Sequence, residues 1–431
     1  MLISYIWAKI PYGMTAVFCC LALEITGVLS SAEAWAGFGN TTVFLFASIF
    51  ILGAGLMKTS FIIKIQKLLQ KIGSSEKKMR WICMYIASFL AMLTSATAAG
   101  ATMLPMVSLL SRKGNFQKRR LLKPVMDAAC MGFAIMPFGM GAAFMEQGNS
   151  YLQMMGSSVR MSLFDSAIAR LPVLIVTISF IGLFGYKFIS NQKENGDKNQ
   201  EEIILNENCN LSEFKDKMGI GIFFGSIAAM IISSLVGIPS HYAPLIGALL
   251  MIVSGVLSGK EAFGAIDLNT VCIFAGSLGF ANALTKTGIA DWIVEKLVFA
   301  TNSSQSEYVL VAIFLLVPFA MTQFMGNIPV INLTMPIAAT VACTTGINPT
   351  AIMVATVAGA TLSISTPMAA GIQALIMEAG EYRFSDYIKA GLPTAAVFAA
   401  AYIIWAPFVS FILIINRKNF QMMQKKILTA P

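Results

Sequence analysis

Gly27-Val28-Leu29-Ser30-Ser31-Ala32-Glu33-Ala34-Trp35 returns 228 positions later as Gly255-Val256-Leu257-Ser258-Gly259-Lys260-Glu261-Ala262-Phe263. Outward at the same offset, Ile10-Pro11 falls on Ile238-Pro239, Thr42-Val43 on Thr270-Val271, Phe46-Ala47 on Phe274-Ala275 and Lys58-Thr59 on Lys286-Thr287. One offset held over about fifty residues marks an internal duplication. Beyond it the register slips by small insertions. Leu104-Pro105 pairs with Met335-Pro336, Pro137 with Pro367, Asp165 with Asp386, and Leu171-Pro172 with Leu392-Pro393.

The duplicated material is membrane-like. Of 431 residues 57% are hydrophobic and 12% charged, with a mean hydropathy of +0.74; a soluble domain carries about 25% charged residues. Runs at 10–30, 41–57, 167–189, 218–237, 242–257, 269–284 and 393–415 are nearly free of charge. Each approaches the roughly 17–25 residues that a helix needs to cross the hydrocarbon. Helices satisfy their own backbone polar groups in lipid, so the expected fold is an all-α polytopic membrane protein. The net charge of +9 lies in short segments flanking these runs, which argues for cytoplasmic loops against lipid and excludes nucleic acid as a partner. The cysteines (Cys19, Cys20, Cys83, Cys130, Cys209, Cys272, Cys343) lack CxxC spacing, and His241 is the only histidine, so they read as small apolar packing residues with no zinc site or other cofactor. A polytopic membrane enzyme is the remote alternative; neither HExxH, nor paired aspartates at helical spacing, nor a Ser/His couple has suitable context, and the chain reads as no enzyme.

Charge sets the two copies in opposite orientations. Residues 60–80 carry Lys64, Lys67, Lys71, Lys77, Lys78 and Arg80 against Glu76, whereas after Thr287 Lys296 faces Asp291, Glu295 and Glu307. Arg112, Lys113, Lys118, Arg119, Arg120 and Lys123 follow the first Leu-Pro element, whereas 337–350 has no charge. The positive-inside rule places the first set in the cytoplasm and the second outside, the mark of an inverted-topology repeat. The first repeat, 1–190, then has a cytoplasmic N-terminus, spans at 10–30 and 41–57, an amphipathic helix at 60–80, a re-entrant hairpin at 82–111, a broken span at 124–146 and a span at 167–189. A solvated linker occupies 191–217. The second repeat, 218–416, has spans at 218–237, 242–258 and 269–285, a hairpin at 307–343, a broken span at 348–377 and a span at 393–416. Nine crossings put the tail, 417–431, outside, while Arg417, Lys418, Lys425 and Lys426 favour the cytoplasm.

Interrupted helices persist in membranes where the freed backbone lines a cavity or meets a partner. Thr94-Ser95-Ala96-Thr97-Ala98-Ala99-Gly100 before Leu104-Pro105, and Thr322-Gln323-Phe324-Met325-Gly326-Asn327-Ile328-Pro329 before Met335-Pro336, suit hairpin tips. Met136-Pro137-Phe138-Gly139 and Ser363-Ile364-Ser365-Thr366-Pro367 interrupt the broken spans. Half-helix ends converging there would offer amides and hydroxyls to an anion, and carbonyls to a cation. Any single Ser or Thr reads more plainly as bonded back to its own helix or packed at a helix contact. Glu24, inside the first span, reads as a proton-binding group or as a structural hydrogen-bonder. Asp165 and Asp386 read as helix caps, and Asp127 and Glu146 as facing the interface.

These motifs resemble the divalent anion:sodium symporter family, the di- and tricarboxylate and sulfate transporters of the ion-transporter superfamily, over nearly the whole chain. That family has a Ser-Asn-Thr motif followed by Leu-Pro at each hairpin tip and a Thr-Pro in each broken helix. Here the corresponding residues are Ser95-Ala96-Thr97, Gly326-Asn327-Ile328, Met136-Pro137 and Thr366-Pro367. The segment 380–393, with Phe384, Asp386 and Gly391-Leu392-Pro393, also resembles the family's approach to its last span. The resemblance implies secondary transport of a small anion by an elevator motion, with 60–80 and 288–305 as connecting arms and a homodimer formed through the scaffold. It implies a substrate site at Ser95, Ala96, Thr97, Gly326, Asn327, Ile328, Thr366, Pro367 and Pro137, and sodium as coupling ion at Ser95, Thr322, Asn327 and Ser365. Ala96 replaces the first motif Asn and the second motif lacks both hydroxyls, which suits a less polar or singly charged anion. Proton coupling, or another cargo such as an oxyanion or an amphipathic organic acid, is the alternative. A flux-dead relative with a sensing role is another.

Overall fold

The computed structural model describes residues 10–70, 75–114, 116–189, 211–236, 238–289 and 306–428, with 292, 295 and 296. Among the described residues all regular structure is helical. The first half runs α1 (Tyr12–Ile25), α2 (Ser31–Trp35), α3 (Thr41–Lys58), α4 (Ser60–Gln70), α5 (Glu76–Leu93), α6 (Ala96–Gly114), α7 (Lys118–Gly132), α8 (Gly139–Met154) and α9 (Asp165–Leu183). The second runs α10 (Glu213–Val236), α11 (Tyr242–Val253), α12 (Gly259–Ala265), α13 (Leu268–Lys286), α14 (Glu307–Thr322), α15 (Asn327–Thr345), α16 (Pro349–Thr361), α17 (Gly371–Ala379) and α18 (Phe384–Leu428). Cys209, most of the 191–217 linker and most of the 288–305 arm lie outside the described residues.

Six described stretches are long and apolar enough to cross a membrane: Ser31–Lys58, Asp165–Leu183, Glu213–Ser234, Leu268–Lys286, Asn327–Thr345 and Phe384–Ala406. The chain is thus a multi-pass membrane protein. Tyr12–Ile25, Tyr242–Val253, Glu307–Thr322 and Pro349–Thr361 are apolar but shorter. With 14 residues, α1 spans about 21 Å at 1.5 Å per residue, short of a hydrocarbon core of about 30 Å.

The duplicated stretch folds the same way twice. Gly27 (φ +73°) and Gly255 (φ +68°) turn the chain in the left-handed region that a β-carbon opposes. Leu29 N–H then donates to Leu23 O, and Leu257 N–H to Met251 O, both at 3.1 Å. Ser30 and Ser258 start α2 and α12 with capping boxes, each hydroxyl accepting from the backbone of Glu33 or Glu261 and each carboxylate accepting from the serine backbone. Local sequence alone explains these elements. Glu24 takes the structural role, accepting from Trp35 Nε1 at 2.6 Å.

The copies also trade partners. Lys58 pairs with Glu261 at 2.6 Å, and Lys286 pairs with Glu33 at 2.8 Å. In each pair the lysine of one copy meets the glutamate of the other. Packing follows the same rule, with α1 along α13 and α11 along α3. The main apolar core draws on α3, α5 to α9 and α13 to α18, and a second one lies between α3, α10, α11 and α12.

Candidate functional site

Four interruptions lie between consecutive helices: a first tip at Thr94-Ser95, a first break at 133–138, a second tip at 323–326 and a second break at 362–370. Proline supplies part of the cause. Pro137 and Pro367 lack an N–H to donate, and the residue before a proline is steered out of the helical region. In the first break Ala134 also stands at φ +59°, a strained position for a residue with a β-carbon.

The interruptions meet. A β-carbon on Gly139, where α8 begins, would lie 3.4 Å from Met92 O at the first tip. One on Gly371, where α17 begins, would lie 3.8 Å from Thr97 Oγ1. The second tip is bound to the second break through Gln323. Its Nε2 donates to Leu362 O at 3.0 Å, its Oε1 accepts from Ser365 N–H at 3.0 Å, and its backbone carbonyl accepts from Thr366 Oγ1 at 2.5 Å.

Two buried cations hold the breaks. Arg170, on α9 and fully buried, donates to Ala134 O at 2.8 Å, Phe133 O at 3.1 Å, Met131 O at 3.4 Å and Thr361 Oγ1 at 2.6 Å. It thereby closes the carbonyl end of α7, where a helix leaves its last acceptors unfilled and carries partial negative charge. Lys123, on α7 and 1% exposed, donates to Ile364 O at 2.8 Å and pairs with Asp127. Asp127 also accepts from Gln373 Nε2 at 2.9 Å. Arg119 pairs with Asp386 at 2.7 Å, and Tyr382 OH donates to Arg119 O and accepts from Lys123 N–H. The expectation that Asp127 faces the interface is therefore corrected: it is 2% exposed, kept inside because Lys123 and Gln373 replace its water. Asp386 does cap α18, accepting from Arg383 N–H at 2.9 Å, and carries the Arg119 pair besides.

Ser95 is half-buried, its hydroxyl accepting from Ala98 N–H at 3.1 Å; Ala96 is buried and Thr97 exposed. Gly326, Asn327 and Ile328 are half-buried at the start of α15, where Asn327 Oδ1 accepts from Ile328 N–H at 2.9 Å. Pro137, Thr366 and Pro367 are buried in the breaks. Most other hydroxyls in the bundle bond back to their own helix, as Thr102, Thr334 and Thr340 do. Thr322 Oγ1 and Ser365 Oγ do not; both are buried without a hydrogen-bond partner among the described residues, and they flank the Gln323 crosslink. As a test of the sodium set, two oxygens are thus open and the oxygens of Ser95 and Asn327 already accept from backbone.

Sequence reasoning missed Arg170 and Gln373, and it counted Arg119 and Lys123 among the loop charges, whereas both are buried because Asp386 and Asp127 pair with them. Arg170 sits inside the apolar run 167–189, where an ionisable residue is a functional candidate by default. Lys123 and Asp127 stand four apart on a helix, the spacing of a pair on one face.

The chain is 28% identical over 204 residues to an uncharacterized transporter of Synechocystis sp., covering 47% of this chain and 33% of that protein, so it spans about a third of that relative's length. It is 20% identical to the sodium-dependent dicarboxylate transporter SdcS of Staphylococcus saprophyticus, over 90% of this chain and 80% of the relative. The crystal structure of the YdaH transporter of Alcanivorax borkumensis has the same fold, with a TM-score of 0.66 at 12% identity over 93% of this chain and 99% of that one. The family model described as citrate transporter (CitMHS) matches residues 2–359, and the chain belongs to that citrate transporter family as a divergent relative of the di- and tricarboxylate carriers.

Proposed function

We propose that this chain is a secondary active transporter of a small anion of the citrate or dicarboxylate class, working by alternating access in the inner (cell) membrane with a cytoplasmic N-terminus. The meeting of four helix interruptions in one cluster carries this reading. The helices that start there, at Ala96, Gly139, Asn327 and Gly371, bring N–H groups that their own turns leave unfilled, and anions bind such ends. Arg170 adds a full positive charge nearby.

We read the duplication as an inverted-topology repeat, with α5–α6 and α14–α15 as re-entrant hairpins and α7–α8 and α16–α17 as broken helices. The traded ion pairs support it. Loop charge assigns Glu33 and Lys286 to the outside and Lys58 and Glu261 to the cytoplasm, and those are the pairs that form. In an elevator motion the hairpins and broken helices slide against a scaffold of α1, α3, α10, α11 and α13, through which two copies dimerise. The coupling cation is sodium or a proton. The name of the staphylococcal relative supports sodium, whereas the buried Lys123–Asp127 pair at the second break, faced by Arg119, Asp386, Tyr382, Tyr387 and Cys130, favours a proton.

Uptake of labelled citrate, malate and succinate into proteoliposomes tests the reading. Asn327→Ala and Thr366→Ala should each weaken apparent affinity by about tenfold, the value of one good hydrogen bond in a dry site. Unchanged affinity in both variants would sink the site assignment.

A further inference from the structure

We infer that Arg170 and Lys123 are built-in counter-cations of the two helix breaks, so that anion binding between them does not draw on sodium. The inference rests on the anion-transport reading above. Where a helix is interrupted inside a membrane, the carbonyls freed at the break carry partial negative charge and are what a small cation coordinates. In this chain side chains already hold several of them. Met131 O, Phe133 O and Ala134 O, the acceptors ending α7, all point at the Arg170 guanidinium. Ile364 O, in the second break, accepts from the Lys123 ammonium.

The two differ in charge balance. Lys123 is neutralised by Asp127, so the second break gains a donor without net charge. The hydrogen-bond partners of Arg170 are uncharged oxygens, three carbonyls and the Thr361 hydroxyl. It leaves a net positive charge buried beside the first break, which an anion at the neighbouring helix N-termini would balance. Sodium would have to give up its water for what remains. Thr322 Oγ1, Ser363 Oγ and Ser365 Oγ are open, but Ser365 Oγ is pressed onto α18, only 2.8 Å from where a β-carbon on Gly391 would stand. A few hydroxyls replace a hydration shell poorly, and the uncompensated charge of Arg170 repels a second cation.

Melting the purified full chain in detergent decides the point. Sodium, potassium and choline chlorides are compared at equal ionic strength, first with no added anion and then with citrate or malate. The melting temperature of the unliganded protein should be the same in all three salts, and any citrate or malate shift should keep its midpoint across them within about threefold. Arg170→Gln frees Met131 O and Phe133 O, while Ala134 O keeps its bond from Ser166 Oγ, and should acquire a saturable rise in melting temperature specific to sodium, while weakening the anion shift by about tenfold or more. Arg170→Lys, which keeps the charge, should stay indifferent to sodium. A saturable, sodium-specific rise in the unliganded wild type, or a loss of about tenfold in citrate affinity on replacing sodium by choline, would overturn the inference. Should neither citrate nor malate shift melting in any salt, the transport reading fails, while the unliganded sodium comparison still decides this inference. Should Arg170→Gln fail to fold, the wild-type comparison decides it alone.

Discussion

The first and second breaks fall on matching stretches of sequence, Pro137 on Pro367, yet they are held by different chemistry. In the first, Arg170 reaches from α9 and takes the carbonyls that end α7. The position matching Arg170 in the second copy, by the register of Leu171-Pro172 on Leu392-Pro393, is Gly391. There the helix backbone comes so close that a β-carbon would stand 2.6 Å from both Ile364 O and Ser365 Cα. The crosslinks at the second break come instead from Lys123 of the other half and from Gln323 of the adjoining tip. Matching stretches share their interruptions because proline and turn chemistry are local. The groups that satisfy the freed acceptors are tertiary, and they diverge.

Arg170→Ala should be the most damaging change to this comparison. It removes a charged donor from several buried oxygens at once, and unfolding in detergent should show a loss of about 4 kcal/mol. Arg170→Lys should recover part of that loss, because an ammonium reaches fewer acceptors than a planar fork. Equal losses for Lys and Ala would mean that shape alone, without charge, closes the first break. Gln323→Ala should rank next, at about 3 kcal/mol, since it leaves Leu362 O and Ser365 N–H buried without their partner. The same substitution should loosen the second break selectively, so hydrogen exchange should rise over 362–370 and stay level over 133–138. Gly391→Ala comes third, at about 2 kcal/mol, because the neighbours of the added methyl are backbone and give way little.

Much of this architecture was legible. The 228-residue offset was read from the sequence, and the two stretches it pairs fold into the same capped turns, each with a left-handed glycine and a serine–glutamate box set by local sequence. The interruptions at Pro137 and at Thr366-Pro367 were legible for the same reason. The clamps were harder. Lys123 meets Ile364 across 241 positions and Arg170 meets Thr361 across 191, and no spacing rule ties residues so far apart. Asp127 was placed at the interface because a carboxylate near a span end usually is; that Lys123 lies one turn before it on the same buried face decided otherwise. Arg170 was the available signal, an arginine within an apolar run.

The traded pairs Lys58–Glu261 and Lys286–Glu33 are the exposed counterpart of these buried clamps, and they should matter least. Lys58 and Glu261 are 39% and 45% exposed, so water and salt screen most of their attraction. The hydrogen bond from Lys58, helped by the backbone and hydroxyl of Ser258, holds the Glu261 carboxyl down to about 2 from its ordinary 4.5. A depressed carboxylate adds stability above its unfolded value and loses it as the pH falls through the folded one. The difference in melting temperature between wild type and Glu261→Gln should therefore be small at neutral pH, shrink from pH 4.5 toward about 2, and fade in high salt. Reversing the pair, with Lys58→Glu and Glu261→Lys together, should restore only part of what Lys58→Glu alone removes, because a lysine at 261 regains the partner but cannot accept from Ser258. If Glu261→Gln instead destabilises more than Gly391→Ala, and does so equally at low and neutral pH, the capping of α12 rather than the trade between copies is what Glu261 supplies.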